Sequence, residues 1–141
     1  MPQVQHPRRP DGHGRLLLEA VFTLGDLVLV RGFVSEQAAR AGLTGLRLKD
    51  FVLAVHELMA NAILHGGGGG RVSLRRHDGR LLCTVSDQGP GLGDRTLPSE
   101  QPGLDSSRGG RGLWLVRQIG DEVDVTTGPA GTSITISMVL I

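Results

Sequence analysis

Apolar residues from Leu48 to Ile63 recur at intervals of three and four positions, the spacing of one buried stripe on an α-helix. Thr44 is suited to cap this helix at its N terminus, and the pattern carries it to about His65. Five consecutive glycines at 66–70 then end the helix. We expect most of that glycine run to act only as a C-cap and a flexible connector.

A second apolar stripe precedes this helix. It predicts another helix, from about Gly25 to Ala41, that ends at Gly42. The segment Leu27–Val30 is also compatible with a strand, because it is a short apolar run that follows a Leu-Gly-Asp turn. Of the two, the helix is our prediction.

Elsewhere apolar and polar residues alternate, which is typical of strands that bury one face. The sequences His-Asp-Gly and Gly-Pro-Ala-Gly separate two pairs of such segments and predict two hairpins. The predicted strands are Arg15–Phe22, Arg71–Arg76, Arg80–Ser86, Val123–Thr127 and Ser133–Val139, and a short helix is predicted at Arg111–Ile119.

The order of these elements is strand, two helices, hairpin, long loop, helix and hairpin. This mixed order favours an α+β fold, a two-layer sandwich with a mainly antiparallel sheet and three helices on one face. We expect residues 1–14 to be a disordered arm and residues 15–141 to form one domain. The loop from Gln88 to Gly110 is long for a small domain, and loops of this kind are usually functional.

Composition excludes several classes of protein. The chain has 141 residues and a net charge of +1, which does not indicate a surface for nucleic acid or another polyanion. The single cysteine, Cys83, lies in an apolar strand pattern and is expected to be a buried thiol. Neither a signal peptide nor a membrane span is evident, so we expect a cytoplasmic protein.

Candidate chemistry begins on the central helix. Glu57, Asn61 and His65 are spaced by four residues and therefore share one helix face, away from the apolar stripe. A solvated polar face would explain them equally well. A zinc-protease motif does not fit, because Ala60 stands where the second histidine should be.

Two glycine-rich segments follow. Asp87-Gln88-Gly89-Pro90-Gly91 ends a predicted strand, where a carboxylate could receive an exocyclic amine and glycines would let a flat ring approach. Gly109-Gly110-Arg111-Gly112-Leu113 opens the third helix, where backbone N–H groups favour phosphate. Each segment alone could be an ordinary turn or loop end. With an amide oxygen for Mg²⁺ on the central helix, the three signals point to one nucleotide.

Together the three segments resemble the asparagine box and the two glycine boxes of the Bergerat-type ATP-binding fold, which gyrase and histidine kinases share. The spacing, the small size and the lack of a dimerisation helix resemble the bacterial anti-sigma regulatory serine/threonine kinases in particular. Gly131-Thr132 also resembles the late Gly-Thr of that family.

The resemblance implies a histidine-kinase-like ATP-binding domain with ATP and Mg²⁺ as its ligands. It implies that Glu57 is the general base and that Asn61 is the Mg²⁺ ligand. Asp87 would read adenine, with Thr132 nearby, and residues 92–110 would form a lid. The glycine boxes would contact the nucleotide through Gly89, Gly91, Gly110, Gly112 and Leu113. The charge of the phosphates would be neutralised by Mg²⁺, backbone N–H groups and Arg108 or Arg111.

The resemblance leaves three functions open. The first is an ATP-dependent serine/threonine protein kinase that binds a sigma factor and phosphorylates an anti-sigma antagonist. The second is a non-catalytic nucleotide-binding module that sequesters a partner. The third, a bare histidine-kinase catalytic domain, is less favoured because no phosphoacceptor helix precedes it here. Nucleic acid and membrane are not expected as partners, whereas a homodimer is an option.

Overall fold

The computed structural model describes residues 4–5, 14–89 and 110–141. Six strands and three α-helices are described within these ranges. In chain order they are β1 (Val4–Gln5), β2 (Arg15–Thr23), α1 (Leu27–Ala41), α2 (Gly45–His65), β3 (Gly69–His77), β4 (Arg80–Asp87), α3 (Gly110–Ile119), β5 (Glu122–Gly128) and β6 (Gly131–Val139), with a 3₁₀ turn at Leu24–Asp26 before α1.

The strands form one sheet in the order β1-β2-β3-β4-β6-β5, and every neighbouring pair is antiparallel. Alternate residues of each central strand face the helices. On β4 these are Leu81, Cys83 and Val85, all buried, while the residues between them are only partly buried. The predicted α+β sandwich, with three helices on one face of an antiparallel sheet, is confirmed.

The β3–β4 hairpin turns at Asp78 and Gly79, which have φ angles of 50° and 71°. Two successive residues in the left-handed region make a tight turn whose twist matches that of the strands. The β5–β6 hairpin closes with Gly128 opposite Gly131. Both hairpins therefore form where their turn sequences predict.

Helix α2 lies at the centre of the helical layer, and it packs on β3 and β4 and between α1 and α3. Thr44 is its N-cap residue, with an extended backbone, although its side chain makes no capping hydrogen bond. Six residues of α2 are buried against the sheet or the other helices: Phe51, Ala54, Val55, Leu58, Met59 and Ala62. The helix predicted from Gly25 to Ala41 also forms. The 3₁₀ turn leads directly into α1, which ends at Ala41 as predicted. None of the described helices combines the length and apolar character that a bilayer crossing requires.

The sequence did not predict β1. Val4 and Gln5 lie in the expected disordered arm, but they pair with Ala20 and Glu19 of β2. Backbone pairing of two residues needs no hydrophobic pattern, so the sequence carries no sign of it.

The glycine run is a second departure from prediction. Strand β3 begins at Gly69 rather than Arg71, so the last two glycines are part of the sheet. A Cβ on Gly69 would overlap the carbonyl oxygen of Phe22, and one on Gly70 would overlap that of Ser86. These glycines are therefore needed for close backbone approach, and the connector is limited to Gly67 and Gly68.

Candidate functional site

The polar line on α2 runs beside its buried stripe. Glu57, Asn61 and His65 are partly exposed, whereas the core residues of the helix are nearly all inaccessible to solvent. Successive members are one turn apart, so Asn61 lies between the other two along the helix. The Glu57 end of this line lies against Gly112 of α3, and Gly66, just after its other end, lies against Asp87.

At the Glu57 end, the neighbour is the first turn of α3. A Cβ on Gly112 would lie 2.5 Å from Glu57 Oε2, so a side chain at position 112 would require the glutamate side chain to move. The first backbone N–H groups of α3 lack partners within the helix and favour an anion. The glutamate therefore lies beside the start of a helix that can bind phosphate.

At the other end of α2, the neighbour is Asp87. This residue ends β4 in phase with Leu81, Cys83 and Val85, so its side chain is on the helix side of the sheet. Its Oδ1 accepts a hydrogen bond of 2.9 Å from the backbone N–H of Gly89. A Cβ on Gly66, just after α2, would overlap the Asp87 carboxyl group.

Thr132 lies directly across from Asp87 in the β4–β6 ladder. Residues paired in this way have Cβ atoms about 5 Å apart. The threonine side chain is buried, and its hydroxyl lies 2.9 Å from that of Thr127. Gly131 passes so close to Asp87 that a Cβ there would overlap the Asp87 carbonyl oxygen. The late Gly-Thr pair thus adjoins the strand-end aspartate.

Helix α2 connects the contact between Glu57 and Gly112 with the contact between Asp87 and Gly66. Gly66 is nine positions after Glu57, which corresponds to about 14 Å along the helix axis. Asn61 lies between them, with one turn of helix to Glu57. Glu57, Asn61 and the Gly66–Asp87 contact therefore follow one another along the length of α2.

Two cavities border this line, and they do not merge in the described part of the chain. One, of about 600 Å³, is lined by the glycine run, Arg71, Asp87 and Gln88. The other, of about 590 Å³, lies between α1 and α2 and includes Arg31, His56 and Glu57. Arg31 Nη1 and His56 Nδ1 are 3.3 Å apart. Asp87 and Glu57 therefore line different cavities, and Asn61 lines neither.

Some predicted site residues fall outside the described ranges. These are Gly91, Arg108 and the rest of the predicted lid up to residue 109. Arg111 lies in α3, but its side chain is not described. Leu113 belongs to the hydrophobic core, with 3% of its surface exposed. Any contact between Leu113 and a ligand would therefore use its backbone. Its neighbour Trp114 is only partly buried and does not belong to the core cluster.

Sequence reasoning missed Gly66 as part of this site and treated it as a simple helix stop. Position alone offered one signal: Gly66 immediately follows His65, the last residue of the polar line. The contact with Asp87 depends on how the end of α2 sits over β4, which no local pattern encodes.

Burial also settles the state of the single cysteine. Cys83 is fully buried, and this raises the pKa of its thiol to about 12. A thiol that stays protonated is a poor nucleophile. Within residues 4–5, 14–89 and 110–141, no cluster of three or more His, Cys, Asp or Glu side chains is placed to hold a metal ion.

Comparison with known sequences decides the family. Residues 21–138 match the histidine kinase-like ATPase domain family. The chain belongs to this family. The match spans β2 to β6 and so includes α2, the end of β4 and the start of α3, the elements that carry the predicted motifs.

Among curated proteins, the chain is similar to the signal transduction histidine-protein kinase AfsQ2 of Streptomyces coelicolor. The identity is 41% over 64 residues, which are 45% of this chain and 11% of AfsQ2. The likeness therefore covers only a small part of that kinase.

Solved structures give the same result for the fold. The histidine kinase domain of the Erythrobacter litoralis EL346 blue-light activated histidine kinase aligns with a TM-score of 0.54 and 26% identity, over 79% of this chain and 65% of that domain. The Acinetobacter baumannii histidine kinase AdeS aligns with a TM-score of 0.50 and 13% identity, over 94% of this chain and 69% of that one. The second likeness shows the shared fold alone.

Proposed function

We propose that this protein binds Mg²⁺-ATP along α2 and transfers the γ-phosphoryl group to a serine or threonine hydroxyl of a partner protein. The partner class that we favour is an anti-sigma antagonist, with a sigma factor as the regulated protein. Such a protein would act in the cytoplasm, where ATP is available. Membership of an ATPase-domain family supports ATP as the ligand.

The observation that carries the proposal is the pair of close contacts at the two ends of the polar line. Gly112 opposes Glu57, and Gly66 opposes Asp87. A carboxylate that accepts hydrogen bonds suits the exocyclic amine of adenine, and a helix start suits phosphate. An extended nucleotide could therefore lie with its base at Asp87 and its phosphates at α3.

The residues divide the work between binding and chemistry. Asp87 would bind the base, with Thr132 beside it and Gly89 leaving room for the ring. The backbone N–H groups at Gly110 and Gly112 would bind phosphate oxygens. Mg²⁺, held through the amide oxygen of Asn61, would neutralise charge on the phosphates. This donor set fits the ion, since amide and phosphate oxygens are the ligands that it prefers.

Glu57 is the proposed general base. Its carboxylate lies beside the phosphate-binding start of α3, where it could accept the proton of an incoming hydroxyl. A water molecule would be activated in the same way, so the identity of the acceptor depends on what the partner presents.

A second candidate is the catalytic domain of a histidine kinase, because the similar proteins named above are histidine kinases. In that case the acceptor would be a histidine ring nitrogen rather than a hydroxyl. The two products differ chemically: phosphohistidine is lost in acid, whereas phosphoserine and phosphothreonine survive acid and are lost in base.

A phosphotransfer assay tests the proposal. The protein would be incubated with radiolabelled ATP, Mg²⁺ and candidate antagonists encoded near its gene, and the product would be treated with acid and base. We expect an acid-stable phosphoprotein. Glu57→Gln should slow transfer by about 100-fold or more, with nucleotide affinity within about 2-fold of wild type, because a general base typically contributes 10²–10⁴ in rate.

Glu36→Gln is the matched control, because Glu36 is exposed on α1 and pairs only with Arg40 in the described contacts. It should leave transfer unchanged. Transfer that survives Glu57→Gln would remove the general-base role. An acid-labile product would favour the histidine kinase, and ATP binding without transfer would favour the sequestering module.

A further inference from the structure

Gly66 does not need to be glycine for its own backbone conformation. It is the C-cap of α2, with φ −110° and ψ 22°, and its N–H donates to the carbonyl oxygen of Ala62 at 2.8 Å. Any residue can adopt a negative φ of this size. Gly67 and Gly68 differ, because their φ angles of 93° and 98° do favour glycine while a Cβ on either would meet nothing within 4 Å.

Space, rather than conformation, explains the glycine at position 66. A Cβ there would overlap both Cγ and Oδ2 of Asp87 and would lie 2.6 Å from the carbonyl oxygen of Ala62. From the opposite side, a Cβ on Gly89 would lie 2.6 Å from the Cα of Gly66. Gly66 and Gly89 are both buried. The Asp87 carboxylate is thus packed against a bare Cα atom.

This packing fixes the direction of the carboxylate. Oδ1 accepts the hydrogen bond from the Gly89 N–H, and Oδ2 is the oxygen closest to Gly66. Because a Cβ at position 66 would overlap Cγ as well as Oδ2, a methyl group there would displace the whole carboxyl group without removing it or its charge.

We propose that Gly66 is a specificity-determining residue that positions Asp87 to recognise the amino group of a 6-aminopurine. This inference rests on the proposed ATP function of the site. It assigns to the first glycine of the run a part in choosing the base, acting through Asp87 rather than by contact with the phosphates.

The test measures a ratio of affinities. Calorimetric titrations with Mg²⁺ would compare ATP with purine riboside triphosphate, which lacks the amino group at C6. The wild type should prefer ATP by about 10- to 100-fold, the value of one hydrogen bond to a charged group. In Gly66→Ala that preference should collapse to within about 3-fold, mainly through loss of ATP affinity, because only ATP uses the aligned carboxylate.

Gly32→Ala is the matched control. Gly32 lies within α1 with open space around its Cα, so a methyl group there should leave both affinities unchanged. A Gly66→Ala protein that binds both nucleotides more weakly but keeps the wild-type ratio would overturn the inference and leave the ATP function intact. A wild-type protein that binds neither nucleotide would overturn both.

A double-mutant cycle separates positioning from general damage. Asp87→Asn alone should remove the preference, and adding Gly66→Ala to it should change the ratio no further, because both changes act on one contact. Further loss of the ratio in the double variant would contradict the proposal. If Gly66→Ala does not fold, Gly89→Ala approaches the same contact from the other side and should also reduce the ratio, and an unchanged ratio would overturn the inference.

Discussion

The two sides of α2 differ in what they touch. One side carries Phe51, Val55 and Met59, which are fully buried among side chains of the sheet and the other helices. The other side carries Glu57 and Asn61, which are partly exposed, and Glu57 lies close to the backbone of Gly112. A single 21-residue helix therefore contributes both to the core and to the candidate site.

We therefore expect the core side of α2 to govern the stability of the fold and the other side to govern nucleotide binding. On the core side the interaction is apolar burial. It depends little on which apolar side chain is present, but it weakens when side-chain volume is lost. On the site side the proposed interaction with nucleotide depends on the position of a few polar atoms, and we expect it to be sensitive to a single added methyl group. Substitutions on the two sides should therefore have different effects, although they lie on consecutive turns.

The largest expected effect is on the core side. Phe51→Ala should lower the free energy of unfolding by about 3–5 kcal/mol, because it leaves a cavity in a fully buried site. Denaturant titration followed by circular dichroism would measure it. Under conditions where the variant remains folded, its nucleotide affinity should match that of wild type.

Leu53→Ala is the control on the same helix. Leu53 is 41% exposed, so its loss should cost much less stability than that of Phe51. If the two substitutions destabilised the protein equally, the assignment of the core face of α2 would be wrong.

The sequence predicted the core side better than the site side. The helical stripe and the alternation along β4 follow from local periods, so α2 and the helix-facing position of Leu81, Cys83 and Val85 could be anticipated. The same alternation places Asp87 on the helix side, although no apolar residue marks it. The contact of Gly66 with Asp87 could not be predicted, since it joins two segments whose spacing depends on the packed layers.

A smaller effect is expected at Asn61. Asn61→Ala should weaken Mg²⁺-dependent nucleotide binding by about 10- to 100-fold, the value of one interaction with a charged group. Stability should stay the same or rise slightly, because alanine is the better helix former and the position is partly exposed. Calorimetric titration with Mg²⁺ and with EDTA would measure the effect, and thermal unfolding would check the fold.

Gln37→Ala serves as the amide control on α1 and should leave nucleotide affinity unchanged. A normal Mg²⁺-dependent affinity in Asn61→Ala would contradict the metal assignment. A loss of equal size with and without Mg²⁺ would place Asn61 in nucleotide binding but not at the metal.

The last expected effect is confined to alkaline pH and comes from Cys83, on the β4 surface that faces the helical layer. Burial holds the pKa of its thiol at about 12 in the folded protein, against 9.0 for the exposed group. Above pH 9 the unfolded chain therefore loses this proton while the folded chain keeps it. The stability that the protonated thiol provides is complete below pH 9 and is lost as the pH rises towards 12, at up to about 1.4 kcal/mol per pH unit.

The composition of the chain allows the pH dependence of stability to be assigned to Cys83. The sequence has no tyrosine and only one lysine, the exposed Lys49, so few other side chains titrate between pH 9 and 12. Denaturant titrations at pH 8, 9, 10 and 11 should show the decline in wild type and a flatter profile in Cys83→Ala, which lacks the ionisable group. An equally steep decline in both proteins would show that another group, and not the buried thiol, senses alkaline pH.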